Sequence, residues 1–214
     1  MKNCIEYAWR KKREAVYREL EQIEKEISLL DIGCNTGNEL RNYSDIVVGN
    51  LVGLDMNKNF NRNGISYIVG DARNLPFKND SFDVVTSTEV IEHFSEGEDF
   101  LGEIFRILKN NGLLILTTPN RDRITAIPKT AITKLKGKDI VSGPIPEHVR
   151  EYTFSELNRI LKKIGFSLCS YRYIGFNPYL KIPLSLYLPL DKITDRFWAK
   201  LTKWDMIVIA MKKG

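Results

Sequence analysis

Ser28-Leu29-Leu30-Asp31-Ile32-Gly33-Cys34-Asn35-Thr36-Gly37 is a short apolar run, interrupted by one aspartate, that ends in a turn between two glycines. Such a run, closed by a turn, suits a strand buried on both faces. Glycine lets backbone approach a ligand closely. The helix start that follows presents unpaired N–H groups. One glycine-bearing turn is weak evidence alone, because purely structural turns look the same.

The pattern recurs outward from this stretch. Leu51–Asp55, Ile65–Val69 (ending at Gly70-Asp71), Phe82–Ser87, Leu113–Thr117, Phe166–Ile174 and Asp205–Met211 read as strands. Residues 5–27 read as a charged amphipathic helix whose apolar side is Ile5, Ala8, Trp9, Val16, Leu20, Ile23 and Ile27. A second helix is expected over 97–109, stopped by Asn110-Asn111-Gly112. A third runs to Ile164 behind the capping box Thr153-Phe154-Ser155-Glu156, with Gly165 at its end. Short apolar strands alternating with helices predict an α/β fold with a mostly parallel sheet covered on both faces. Ligands of such sheets bind at the carboxyl ends of the strands, near the switch point.

Composition sets the outer bounds. The 214 residues suit a single domain, 1–214, with an N-terminal helix (about 1–27) and insertions at about 121–150 and 176–203. Fourteen glycines and eight prolines exclude collagen-like and low-complexity classes. No run of 18 apolar residues predicts a transmembrane helix, and the charged N-terminus lacks a secretory h-region. Cys4, Cys34 and Cys169 are odd in number and far apart, which fits a reducing cytoplasm. Charge is uneven: residues 28–120 carry 7 basic and 13 acidic side chains, residues 121–214 carry 18 and 8. The basic C-terminal part reads as solvated surface, or as a surface for an anionic partner.

The strand ends carry the functional signal. Asp55 closes the second strand, 22 residues after Gly33, where a carboxylate accepts hydrogen bonds from ribose hydroxyls. Asp71-Ala72 closes the third, placed to meet an adenine edge. These carboxylates oppose a phosphate and favour a nucleoside carrying a positive charge or an amino group.

The chain resembles class I S-adenosylmethionine-dependent methyltransferases, of the type 11 group that includes ubiquinone-biosynthesis O-methyltransferases. The motifs are Leu29 to Gly37, Gly53-Leu54-Asp55, Gly70 to Phe77, Ser81 to Val85, Glu89-Val90-Ile91-Glu92-His93-Phe94, Arg106 to Gly112 and His148 to Thr153. The resemblance implies a Rossmann-like, doubly wound, seven-stranded sheet with one antiparallel strand. It implies S-adenosyl-L-methionine as cofactor and S-adenosyl-L-homocysteine as product. By position, Asp31 orients the turn and the cofactor's amino group, and Gly33, Cys34 and Gly37 lie under its methionine part. Asp55, followed by Met56, holds the ribose; Asp71 and Ala72 meet the adenine; Thr88 touches the cofactor through its backbone. Asn35 stands where the commoner pattern has glycine, and asparagine tolerates left-handed backbone.

Transfer from a sulfonium is an in-line displacement, so alignment supplies much of the rate. His93 is the leading base, because imidazole titrates near neutral pH. Glu89, Glu92 and His93 also fall at i, i+3 and i+4 of a helical turn, with His148 as a further ligand, and this suits a divalent ion. That metal is not the favoured reading. The expected acceptor is the hydroxyl of a small or lipid-linked metabolite. A metal-assisted RNA methyltransferase and a non-catalytic cofactor-binding adaptor are the alternatives, with nucleic acid the weaker partner. The apolar, aromatic and then basic 176–203 segment reads as a pocket lid or dimer contact, with a peripheral membrane-surface contact as its alternative. Either a monomer or a homodimer is compatible with the sequence.

Overall fold

The computed structural model describes residues 2–23, 26–60, 65–123, 148–174 and 204–214. In chain order these form α1 (Lys2–Leu20), β1 (Ile27–Ile32), α2 (Asn38–Tyr43), β2 (Gly49–Asp55), β3 (Ser66–Val69) and β4 (Phe82–Thr88). A 3-10 turn (Ile91–His93), α3 (Gly97–Ile107), β5 (Leu108–Pro119), α4 (Phe154–Ile164), β6 (Phe166–Ile174) and β7 (Asp205–Lys212) follow. The 176–203 segment and most of the 121–150 insertion lie outside the described residues.

The seven strands form one sheet in the order β3-β2-β1-β4-β5-β7-β6. β1, β2, β3, β4 and β5 pair in parallel, and β7 runs antiparallel to both β5 and β6. The order reverses between β1 and β4, which sets the switch point beside the turn after β1. The expected architecture, with one antiparallel strand, is the one observed.

Alternation along each strand builds two cores. Leu30 and Ile32 of β1 and Met206, Val208 and Ala210 of β7 face a cluster with Phe100, Leu101 and Ile104 of α3 and Leu157 and Leu161 of α4. Leu29 of β1 and Ile207 and Ile209 of β7 face the other side, against Val16 and Leu20 of α1 and Leu40 and Tyr43 of α2. This is why both strands are apolar at nearly every position.

Several boundaries differ from the sequence reading. α1 ends at Leu20, not near residue 27, and Ile27 begins β1. Trp9, expected on the apolar side of α1, is 43% exposed. α3 stops at Ile107, because Leu108 takes extended backbone and pairs with Phe82 of β4. Asn110-Asn111-Gly112 is therefore not a helix stop but a bulge in β5, between the Phe82–Leu108 and Val84–Leu113 pairs, with Asn111 at φ +65°. The capping box forms as read. Glu156 N–H donates to Thr153 Oγ1 (3.2 Å), Thr153 N–H donates to Glu156 Oε2 (2.9 Å), and Gly165 closes α4 at φ +120°.

Candidate active site

The carboxyl ends of β1, β2, β4 and β5 open into a cleft of about 800 Å³. Its near end is built by the turn after β1. Gly33 stands at φ +78°, and a Cβ there would lie 2.3 Å from Val90 Cγ2. Gly37 stands at φ +82°, where a Cβ would meet the Tyr67 hydroxyl at 2.2 Å. Both positions require glycine, for backbone and for space. Asn35 adopts φ +49°, the left-handed conformation that its side chain tolerates.

The turn is wired to the neighbouring strand end. Asp55 Oδ2 accepts from the Asn35 N–H and Oδ1 from the Asn57 N–H, both at 2.7 Å. Asp31 is buried, and Thr86 Oγ1 donates to its Oδ1 at 2.8 Å. Burial pushes its carboxyl up to about 7, against the pull of that hydrogen bond. Burial likewise raises the Cys34 thiol, so it is no thiolate nucleophile. Asp71 follows β3 and is held below the usual carboxylate range by Arg73, which chelates it through side chain and backbone. Ala72 is buried, Met56 is open to solvent, and Thr88 ends β4. Asp31, Gly33, Cys34, Asn35, Asp55, Met56, Asp71, Ala72 and Thr88 all line one cleft, and Gly37 is not part of its lining.

The far end holds the histidines. His93 is exposed and meets the buried His148 edge to face, with ring centroids 5.4 Å apart. Glu92 is fully buried: Thr118 Oγ1 donates to Oε2 at 3.0 Å, and Oε1 lies 3.9 Å from His148 Nε2 without a hydrogen-bond partner among the described residues. Burial drives its carboxyl well above the ordinary range. Donor atoms of Glu92, His93 and His148 gather within 4.8 Å of one another.

Glu89 does not join them, which corrects the helical-turn spacing. It sits at φ +57° at the end of β4, where its N–H donates to Thr117 O, and the 3-10 turn begins only at Ile91. Its carboxylate pairs instead with Lys12 Nζ at 2.6 Å, and Lys12 also reaches Asp205 Oδ2 at 3.1 Å.

The contribution of α1 was missed by the sequence reading. Ala8, Lys12, Val16 and Leu20 are spaced by four and share one face, so a lysine interrupts an otherwise apolar stripe. That interruption was the available signal. Arg123 was missed too. It is buried, pairs with Glu151 at 2.7 Å and stacks over Trp204 at 5.0 Å. The three cations of the lining, Lys12, Arg13 and Arg123, are each paired with a carboxylate. Among the described residues the cleft thus offers acceptors to hydroxyls and amino groups, and its lysine and arginines are already paired.

A methyltransferase-domain family matches residues 5–171. An uncharacterized protein of Methanocaldococcus jannaschii is 34% identical over 173 residues, covering 70% of this chain and 67% of its own length. Sterol 24-C-methyltransferase of Schizosaccharomyces pombe is 30% identical over 155 residues (65% of this chain, 39% of the relative). A ubiquinone biosynthesis O-methyltransferase of Pelagibacter ubique is 28% identical over 167 residues (72% and 67%). This chain spans 39% to 67% of the length of the relatives that head the comparison. Among solved structures, an S-adenosylmethionine-dependent methyltransferase of Mesorhizobium loti shares the fold with a TM-score of 0.62 at 15% identity, over 87% of this chain and 91% of its own. The chain belongs to the methyltransferase-domain family, within the class I S-adenosylmethionine-dependent methyltransferases. The chemistry of the described lining fits that cofactor: it holds three carboxylates at strand ends, Asp31, Asp55 and Asp71, and its described lysine and arginines are already paired with carboxylates.

Proposed function

We propose that this chain, as one domain over 1–214, transfers the methyl group of S-adenosylmethionine to a hydroxyl of a small or lipid-linked metabolite by direct in-line displacement. One observation carries the reading. Asp31, Asp55 and Asp71 line the same cleft as His93, His148 and Asp205. A nucleoside and an acceptor therefore share one cleft. When bound, the cofactor supplies a methyl group already activated as a sulfonium.

The chain's own residues then bind, orient and deprotonate. Asp55 accepts from ribose hydroxyls with Met56 beside it. Asp31 pairs with the ammonium group, and Asp71 and Ala72 bound the adenine. Backbone of Gly33, Cys34, Asn35 and Gly37 lies under the methionine part, and Thr88 backbone faces it from β4. His93 takes the acceptor's proton at the exposed end of the cleft. The names of two relatives, a ubiquinone-pathway O-methyltransferase and a sterol methyltransferase, support a lipid-like acceptor. No described helix is long and apolar enough to cross a membrane.

The test is transfer of labelled methyl from S-adenosylmethionine into host-cell extract, separated into lipid, RNA, protein and small-molecule fractions. Label in the lipid or small-molecule fraction is expected. Label confined to RNA or protein overturns the acceptor class. No label in any fraction, with cofactor binding intact, favours an adaptor.

A second reading rests on the convergence of Glu92, His93 and His148. One carboxylate and two imidazoles suit a borderline divalent ion. In that reading His93 is a ligand and not the base.

A further inference from the structure

We propose that Arg73 sets the base specificity of the cofactor site. Its guanidinium fixes the Asp71 carboxylate so that one accepting position is left, which takes an N–H of an exocyclic amino group and rejects a carbonyl oxygen in its place. Arg73 is thus a positioning residue that acts through Asp71. The inference rests on the reading in which Asp71 bounds the adenine, and the part played by Arg73 goes beyond it.

Asp71 lines the cleft, and its side chain is 36% exposed, so a ligand can reach it. Arg73 holds both of its oxygens. Oδ1 accepts from the Arg73 backbone N–H at 2.9 Å and from Nε at 3.1 Å. Oδ2 accepts from Nη2 at 2.7 Å and shares the Nε proton at 3.2 Å. Each carboxylate oxygen has two lone pairs. Oδ1 is therefore filled. The Nε proton is spent mainly on Oδ1, the nearer atom, so Oδ2 keeps one position for a further donor.

The guanidinium is anchored in turn. Its Cζ stands 5.6 Å from the centroid of the Phe94 ring, a cation–π contact. Phe94 also lines the cleft, and it packs on the fully buried Phe100 with ring centroids 5.2 Å apart. Asp99, in the first turn of α3, adds its attraction to the Arg73 charge. Contacts therefore run from the core through Phe100, Phe94 and Arg73 to Asp71. A carboxylate on an open turn rotates freely and accepts from many directions. Held by a planar fork, it has one plane and one free position. Arg73 also keeps the carboxyl ionised, below its ordinary range, so it accepts and never donates. An amino group on the base supplies the matching donor. A carbonyl oxygen at the same place would face a carboxylate with no proton between them.

The test is calorimetric binding of S-adenosylhomocysteine and of its deaminated analogue, S-inosylhomocysteine, to the full chain. The wild type should prefer the first by about tenfold or more, because a site built to pair an N–H rejects the analogue lacking it. Arg73→Ala should cut the preference to about twofold by weakening S-adenosylhomocysteine, while S-inosylhomocysteine binds no worse. Arg73→Lys keeps the charge without the planar fork and should lose most of the preference too. An equal preference in the wild type and Arg73→Ala overturns the proposal. So does an equal fall for both ligands, which would mark Arg73 as a purely structural residue. A preference kept in full by Arg73→Lys overturns the positioning role, since charge alone would then suffice. Asp71→Ala separates this inference from the reading beneath it. If that variant keeps the preference, the base is read elsewhere and the placement of Asp71 falls with the proposal. If the wild type binds neither ligand, the cofactor reading itself falls and takes the proposal with it.

Discussion

Lys12 Nζ lies 2.6 Å from Glu89 Oε2, joining residues 77 apart in sequence. The contact fastens α1 across the carboxyl end of β4 and, through Asp205, the start of β7. Burial works against the charge on Lys12, but Asp205 and Glu89 outweigh it and hold the ammonium above its ordinary range. The same contact keeps the Glu89 carboxylate out of the cluster formed by Glu92, His93 and His148.

Removing one partner of a buried ion pair costs more than the pair itself contributes. Lys12→Met leaves Glu89 and Asp205 facing each other without a cation. It should lower stability by about 3–5 kcal/mol, read as a shift of the urea midpoint. Adding Glu89→Gln and Asp205→Asn to Lys12→Met should recover most of that loss, because no unpaired charge then stays buried. A loss below about 1 kcal/mol for Lys12→Met would mean that the trio is solvated and α1 is not fastened there.

Asp31 links the fold to pH with a definite sign. Its folded pKa, raised by burial to about 7, exceeds the ordinary value of 3.8. A carboxyl raised in this way contributes stability that is complete below the unfolded pKa and is lost as pH rises through the folded one. The unliganded protein should therefore lose on the order of 4 kcal/mol from this group between about pH 4 and pH 7. Asp31→Asn should flatten that slope in urea titrations at pH 5 and pH 7.5. Cofactor binding should show the opposite trend, since pairing with an ammonium requires the ionised carboxylate. Affinity for S-adenosylhomocysteine should rise from pH 6 to pH 8, with proton release detected by calorimetry in two buffers. A flat affinity over that range removes Asp31 from the amino-group assignment.

In the proposed function Asp55 serves the turn and the ribose together. Its oxygens already accept from Asn35 and Asn57 N–H groups, and a carboxylate has further lone pairs for two ribose hydroxyls. Asp55→Ala should weaken S-adenosylhomocysteine binding by about 1.5–3 kcal/mol, the scale of charge-assisted hydrogen bonds. Unchanged affinity in calorimetry would show that ribose is held elsewhere.

The sheet and the residues at its strand ends were legible in the sequence because their signals are local. A strand buried on both faces is apolar at nearly every position, as Leu29–Ile32 and Met206–Ala210 are, and Asp55 and Asp71 stand at or just past the ends of β2 and β3. The ion-paired trio on the cleft wall was less legible because it is assembled across long separations. Lys12, Glu89 and Asp205 come from α1, the end of β4 and the start of β7, and no spacing rule links them. Helical spacing failed for Glu89 because the residue leaves β4 in left-handed backbone before the 3-10 turn begins. The α3 boundary failed for a related reason. Asn111 and Gly112 carry turn chemistry, but tertiary pairing of Leu108 with Phe82 had already pulled the chain into the sheet.

The Glu92, His93 and His148 cluster separates two mechanisms that one chelator experiment distinguishes. Glu92 Oε1 and the two imidazoles meet within 4.8 Å, yet Glu151 Oε1 lies 3.4 Å from His148 Nδ1, and Glu89 is committed to Lys12. Among the described residues a resident ion would therefore have three protein ligands, without Glu89, the other carboxylate of the sequence pattern. In the favoured mechanism His93 acts as the base, and alignment of methyl donor and acceptor supplies the rate without a Lewis acid. Methyl transfer into the lipid and small-molecule fractions should then survive dialysis against EDTA, whereas His93→Ala should lower it about 10²- to 10⁴-fold, the usual range for a lost acid–base group. Loss of transfer with EDTA, restored by Mg²⁺ or Mn²⁺, would reverse the assignment. It would make His93 a ligand, and Glu92→Gln should then match His93→Ala in effect.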